Sequence, residues 1–130
     1  MLISKTFRFE AAHRLPLHKG LCRHLHGHSY RVEVLVQAPV DDVTGIAVDF
    51  HDLKPLQNWI DTHLDHATLV WTQDEELKRF LRDGCQRRFV TERQPTAEVL
   101  CSVIRDQLSG YRVHSIRIWE TETCSAIDIP

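Results

Sequence analysis

No apolar run in the chain approaches the roughly 20 residues that a membrane-spanning helix needs. The opening stretch, "MLISKTFRFEAAHR", alternates in character instead of forming an apolar block, so it does not read as a secretory signal. The four cysteines, Cys22, Cys85, Cys101 and Cys124, form no CxxC pair, which excludes a zinc ribbon or a thioredoxin-type site. There is no basic surplus either. The net charge is −2 with both signs interspersed, which argues against nucleic acid as a partner. Internal repeats, low-complexity tracts and linker-like stretches are absent. The expectation is a cytoplasmic protein with reduced thiols and no membrane partner.

What is present fits one domain spanning 1–130. A chain of 130 residues, 42% hydrophobic, can bury a core without disulfides or a structural metal. Nine histidines are many for this length, and they need an explanation.

Periodicity organises the chain. "ISKTFRFEAAH" alternates, with Ile3, Phe7, Phe9 and Ala11 on one face and His13 continuing it. "HGHSYRVEVLVQ" alternates too, placing His26, His28, Tyr30, Val32, Val34 and Val36 together before Pro39 ends the run. After the turn-rich "DDVTG", "IAVDF" (46–50) reads as a third strand returning antiparallel. Leu53, Leu56, Ile60 and Leu64 then make a helical stripe, with Asp52 as cap and Pro55 tolerated in the first turn. Residues 72–94 are charged and read as an insert, with "DEELKRFLRDG" a short helix closed by Gly84. "PTAEVLCSVIRDQLSG" is a helix capped by Thr96, with Leu100, Ile104 and Leu108 buried and Gly110 ending it. A fourth strand follows at 112–121, and a short last one at 124–129. The class is α+β: an antiparallel four-stranded sheet with two helices packed on one face.

The chemistry gathers around "CRHLHGH". On a strand, residues two apart point the same way with Cα atoms about 6.6 Å apart. His26 and His28 therefore project side by side. If the first two strands pair as a hairpin, His13 at the end of the first meets them at the start of the second. Three neutral imidazoles favour zinc or another late divalent ion and leave one coordination position open. The plain alternative is ordinary hydrogen-bonded histidines. A second alternative makes Cys22 a fourth ligand, closing a structural site. A third is a cupin-like set, His26-x-His28 with Glu33, but Glu33 has the opposite strand parity and helical stripes do not suit a small all-β barrel.

Two further groups stand out. Asp65 and His66 in "LDHATL" end the first helix; a histidine beside a carboxylate suits proton transfer, provided the pair lies outside regular helix. The alternative is a histidine interacting with the helix dipole. Glu120, beside Ile116 and Ile118, is either a buried ion pair or an acceptor of two parallel N–H bonds from a guanidine-like ring edge. Cys85, Cys101 and Cys124 read as structural or incidental.

The segments "FEAAHRLP", "CRHLHGHSY", "DVTGIAVDFHDLK", "LDHATL", "PTAEVL" and "ET" (120–121), in this order, resemble the 6-pyruvoyltetrahydropterin synthase superfamily. More narrowly, they look like its bacterial 6-carboxy-5,6,7,8-tetrahydropterin synthase branch, which acts in queuosine precursor synthesis. The resemblance implies the tunnelling fold (T-fold), in which subunit sheets join into a barrel, with active sites between subunits of a homo-oligomer, usually a hexamer. It implies His13, His26 and His28 as Zn2+ ligands, Cys22 as catalytic proton acceptor and His66 with Asp65 as a relay. Glu120 would anchor the pterin, with Thr96 bordering the pocket. The implied substrate is 7,8-dihydroneopterin triphosphate. The carboxy branch releases acetaldehyde and triphosphate, whereas the pyruvoyl branch eliminates triphosphate and keeps the side chain. Three residues separate Cys22 from His26, as in the carboxy branch. A non-catalytic zinc- or pterin-binding protein on the same fold is the alternative from another class. Departures are Val70 where many members carry Asn, the long 72–94 stretch, and a C-terminus without the usual tyrosine. Arg14, Lys19 and Arg23 are candidates for holding the triphosphate.

Overall fold

A computed structural model describes Met1–Pro130. Its frame is the hairpin of β1 (Leu2–His13) and β2 (His26–Gln37), paired antiparallel from Leu2↔Gln37 to His13↔His26. The alternation puts Phe7, Phe9, Ala11 and His13 of β1 on the same buried face as Tyr30, Val32, Val34 and Val36 of β2. The Phe9 and Tyr30 rings stack across the pair at 4.9 Å.

Two helices cover this face. In α1 (Lys54–His63), Leu56 and Ile60 are buried; in α3 (Ala97–Arg105), Leu100, Cys101 and Ile104 are. All five join one core with the sheet residues. Truncating Ile60 or Ile104 to alanine at such fully enclosed positions costs about 2–5 kcal/mol. Thr96 caps α3 by accepting from Val99 N, as the sequence leads one to expect.

The sheet differs from the expected one. It has six strands in the order β4-β3-β1-β2-β5-β6, and it is mixed. β5 (Val113–Trp119) and β6 (Ser125–Asp128) are antiparallel, but β3 (Ala67–Trp71) pairs parallel to β1, and β4 (Arg88–Thr91) parallel to β3. The two extra strands come from short runs, "ATLVW" and "RFVT", whose period is too brief to separate strand from loop. Between them lies α2 (Glu75–Asp83), so 72–94 is part of the sheet and its cover rather than an appended excursion. Leu69 belongs to the main core while its neighbour Val70 packs with Leu77 and Leu81. Successive strand residues face opposite ways, so α2 covers the other face of β3. There are three α-helices, and they do not all lie on one face.

Three local expectations also change. "IAVDF" is not a strand. Ile46 and Phe50 are exposed, the second edge of β2 is taken by β5 from Arg31 to Val36, and Asp49 accepts from His51 N to start a 3-10 turn, Phe50–Leu53. That turn leads into α1, so Asp49 caps this entry and Asp52 does not. Gly84 follows α2 with φ −84; the left-handed residue is Cys85, φ 51. β5 stops at Trp119, which leaves Glu120 in the turn to β6.

Candidate metal centre and catalytic cleft

The hairpin register brings His13 opposite His26 and Ala11 opposite His28. The three histidines offer one ring nitrogen each, all within 4.8 Å of one another. Gly27 keeps the strands close: a Cβ there would meet the Ala11 carbonyl oxygen at 3.3 Å.

Main-chain carbonyls decide the tautomers. His13 Nδ1 lies 2.7 Å from the Pro95 carbonyl oxygen, and His26 Nδ1 lies 2.7 Å from that of His24. A carbonyl only accepts, so both Nδ1 atoms carry the proton and both Nε2 atoms carry a lone pair. Yet His13 Nε2 and His26 Nε2 sit 3.2 Å apart. Two lone pairs at that distance repel unless a cation lies beside them. His28 Nε2 is buried and has no hydrogen-bond partner, although Glu120 Oε1 is within ion-pair reach at 3.3 Å. Burial holds His13 and His28 below the ordinary histidine value, so both are neutral and competent as ligands. Convergent lone pairs, an orphaned buried nitrogen and carbonyl-anchored imidazoles fit a divalent metal with three histidine ligands. Burial also pushes the Tyr30 phenol up, so its hydroxyl, 3.3 Å from His13 Nδ1, stays neutral.

Cys22 is in a 3-10 turn, Leu21–Arg23, and half-buried. It does not belong to the cluster of close donor atoms, which leaves the four-ligand arrangement without geometric support. Its loop is tied down at two points. Leu15 N donates to the Cys22 carbonyl at 2.9 Å, and Leu17 N donates to Gln94 Oε1 at 2.8 Å. Cys22, Thr96 and Glu120 line one cleft of about 580 Å³, together with His18 and Cys124. Glu120 Oε2 also lies 4.0 Å from His13 Nε2, so the carboxylate sits between the cleft and the histidines. Glu33 faces away and accepts from Ser4 Oγ at 2.8 Å, as strand parity requires.

Asp65 and His66 lie beyond the end of α1, in the turn leading into β3, with His66 left-handed at φ 58. Leaving the helix lets adjacent side chains meet: His66 Nδ1 is 2.8 Å from Asp65 Oδ2. Asp65 Oδ1 accepts from Glu10 N at 2.8 Å, and this bond chiefly, with help from His66 and Arg87, holds the carboxyl below the usual range. The His66 ring is exposed and lines a second cleft of about 400 Å³ with Glu10, Gly27 and Thr68. That cleft shares no lining residue with the one holding Cys22.

Of the proposed triphosphate contacts, Arg14 is already engaged. It makes a bidentate pair with Asp74, 2.7 and 2.6 Å, and lies 3.8 Å from Glu76. Lys19 and Arg23 are exposed. Residues that pattern reading passed over are Pro95 and His24, which act through main-chain oxygens and so leave no side-chain signal, and Gln94 and Arg87, hidden in a charged stretch. Arg87 donates to the carbonyls of Asp65, Asp61 and Thr62.

Comparison with known proteins agrees with this architecture. Residues 2–128 match the family model described as 6-pyruvoyl tetrahydropterin synthase. Among curated proteins, a 6-carboxy-5,6,7,8-tetrahydropterin synthase from Synechocystis is 35% identical, covering 96% of this chain and 90% of its own. Another of that name from Rickettsia conorii is 28% identical, covering 93% and 94%. An uncharacterised Wolinella succinogenes protein superposes with TM-score 0.79 at 22% identity over 99% of this chain and 97% of its own. The 6-pyruvoyl tetrahydropterin synthase of Caenorhabditis elegans gives 0.73 at 21%, over 100% and 95%.

Proposed function

Because the chain belongs to the 6-pyruvoyl tetrahydropterin synthase family, we propose that it is a zinc-dependent lyase. It converts 7,8-dihydroneopterin triphosphate and water to 6-carboxy-5,6,7,8-tetrahydropterin, acetaldehyde and triphosphate. The observation that carries the reading is the trio of convergent imidazoles beside a cleft that holds Cys22, Thr96 and Glu120. The 6-carboxy name of the curated relatives favours the carboxy product.

His13, His26 and His28 would hold the ion. Bound there, zinc supplies Lewis-acid polarisation of a substrate oxygen. The chain's own groups do the rest. Glu120 accepts paired N–H bonds from the pterin ring edge and fixes its orientation. Thr96 borders the same pocket at the N-terminus of α3. Cys22 takes a proton from the substrate side chain. His66, oriented by Asp65 through Nδ1, has Nε2 free to pass a proton on. The separate clefts of Cys22 and His66 support an assembly in which one subunit's pair completes another's site, in a homo-oligomer of the T-fold kind.

Incubation with 7,8-dihydroneopterin triphosphate followed by mass spectrometry tests this. The carboxylated pterin with acetaldehyde is expected. A pyruvoyl product would move the chain to the elimination branch, and retention of unreacted substrate would make it a binding protein.

A further inference from the structure

Residues 72–94 stood apart in the sequence, and their second half makes contacts that the proposed chemistry does not yet use. Arg87 immediately precedes β4. Its main chain pairs with the start of β3: Thr68 N donates to the Arg87 carbonyl at 3.0 Å. Its side chain turns to the end of α1. Nε donates to the Asp65 carbonyl at 2.8 Å, and one terminal nitrogen donates to the carbonyls of Asp61 and Thr62 at 2.5 and 2.6 Å.

The last carbonyls of a helix have no partner within it, and a guanidinium supplies several donors in a fixed plane. Here the same guanidinium also holds Asp65, the second residue beyond α1. That residue is gripped from four sides. Its N–H donates to Ile60 O at 3.0 Å, its carboxylate accepts from Glu10 N and meets His66 Nδ1, and its carbonyl accepts from Arg87. The next residue, His66, is left-handed, a backbone state that costs free energy for a residue with a side chain and persists only when neighbours impose it. His66 N donates to the Glu10 carbonyl at 2.6 Å on the other side. Glu10 and Arg87 therefore grasp the 65–66 turn from β1 and from the β4 edge.

We infer that Arg87 is a positioning residue: it fixes the turn that aims the His66 imidazole, and so links the 72–94 segment to catalysis. This rests on the relay role proposed above for Asp65 and His66. A misplacement of about 1 Å in a catalytic group lowers turnover by up to about a hundredfold. An arginine that only stabilised α1 would change the unfolding temperature and leave turnover intact.

The test uses the zinc-loaded protein with Arg87→Met, Arg87→Lys, His66→Ala and the Arg87→Met/His66→Ala double variant, all assayed well below their unfolding temperatures. Arg87→Met is expected to lower kcat about tenfold or more, with KM moving less than about threefold and zinc content unchanged. Arg87→Lys, which keeps the charge but not the fork, is expected in between. The double variant should be no slower than His66→Ala alone, because the arginine acts through the histidine. Hydrogen exchange at the His66 amide should quicken in Arg87→Met and stay unchanged at amides within α3. Wild-type kcat in both arginine variants, additive losses in the double variant, or an unaltered His66 amide would each overturn the inference. If His66→Ala itself turns over normally, the relay falls and the catalytic claim for Arg87 falls with it, while the exchange rates still decide whether Arg87 holds the turn.

Discussion

His13 Nε2 and His26 Nε2 face each other at 3.2 Å with both lone pairs turned inward, because Pro95 and His24 carbonyls hold both Nδ1 protons. Main-chain geometry thus leaves the trio with converging lone pairs that could hold a cation. Replacing His13, His26 or His28 with alanine is expected to take bound zinc, measured by atomic emission on the purified protein, from one per chain to a small fraction. A group that accepts a hydrogen bond from the far ring nitrogen of a metal-ligating histidine carries about ten- to a hundredfold in metal affinity. A change that withdraws the Pro95 carbonyl from His13 should therefore weaken zinc by that order.

Cys22 divides the catalytic account from a structural one. Cys22→Ala should abolish turnover while zinc content and unfolding temperature stay near wild type. Loss of zinc together with unfolding would instead make the thiol a fourth ligand.

The Asp65–His66 pair should behave as a unit. His66→Ala is expected to lower kcat by about 10²–10⁴-fold, the usual range for a positioned proton-transfer group. Asp65→Asn should lower it less, since the amide still accepts from Glu10 N but no longer carries the charge that orients the imidazole. Steady-state kinetics on the two single variants and the double variant measures their coupling.

The Arg14–Asp74 pair supplies a pH-dependent part of stability. Asp74 is buried; hydrogen bonding to Arg14 chiefly, and to Leu77 N, holds its carboxyl below the usual range. A depressed carboxyl stabilises the fold above its unfolded value of about 3.9, and that contribution is lost as pH falls through the lower folded value. Asp74→Ala removes the ion pair and the α2 cap together, at a cost of about 2 kcal/mol at pH 7. Asp74→Asn keeps a capping oxygen and should lose less. In urea titrations from pH 7 to 2.5, both variants should show a shallower acid decline than wild type.

The legible part of this fold was the part with long, clean periods. Twelve-residue strands such as Leu2–His13 and His26–Gln37 declare their faces, and their pairing alone brings His13 to His26 and His28. The stripes of Leu56 and Ile60 and of Leu100 and Ile104 were equally clear. β3 and β4 were not, since five- and four-residue strands paired in parallel at an edge have no turn signal between them. "IAVDF" misled because its alternation is real while the neighbouring strand edge is already occupied. In the candidate site, the three clustered histidines and Cys22 could be picked out by side-chain type. The groups that orient them could not: Pro95, His24 and Glu10 contribute main-chain atoms, and Arg87 reaches back 22 residues to Asp65.

The central claim, that the three histidines hold a zinc ion required for turnover, is tested most directly by metal removal and return. The protein is stripped with a chelator, dialysed, and titrated with zinc while zinc content and conversion of 7,8-dihydroneopterin triphosphate are followed together. The account predicts no turnover in the stripped protein and recovery that saturates at one zinc per chain, with no recovery in His13→Ala. Full turnover by protein shown to contain no metal, or equal recovery in His13→Ala, would contradict it.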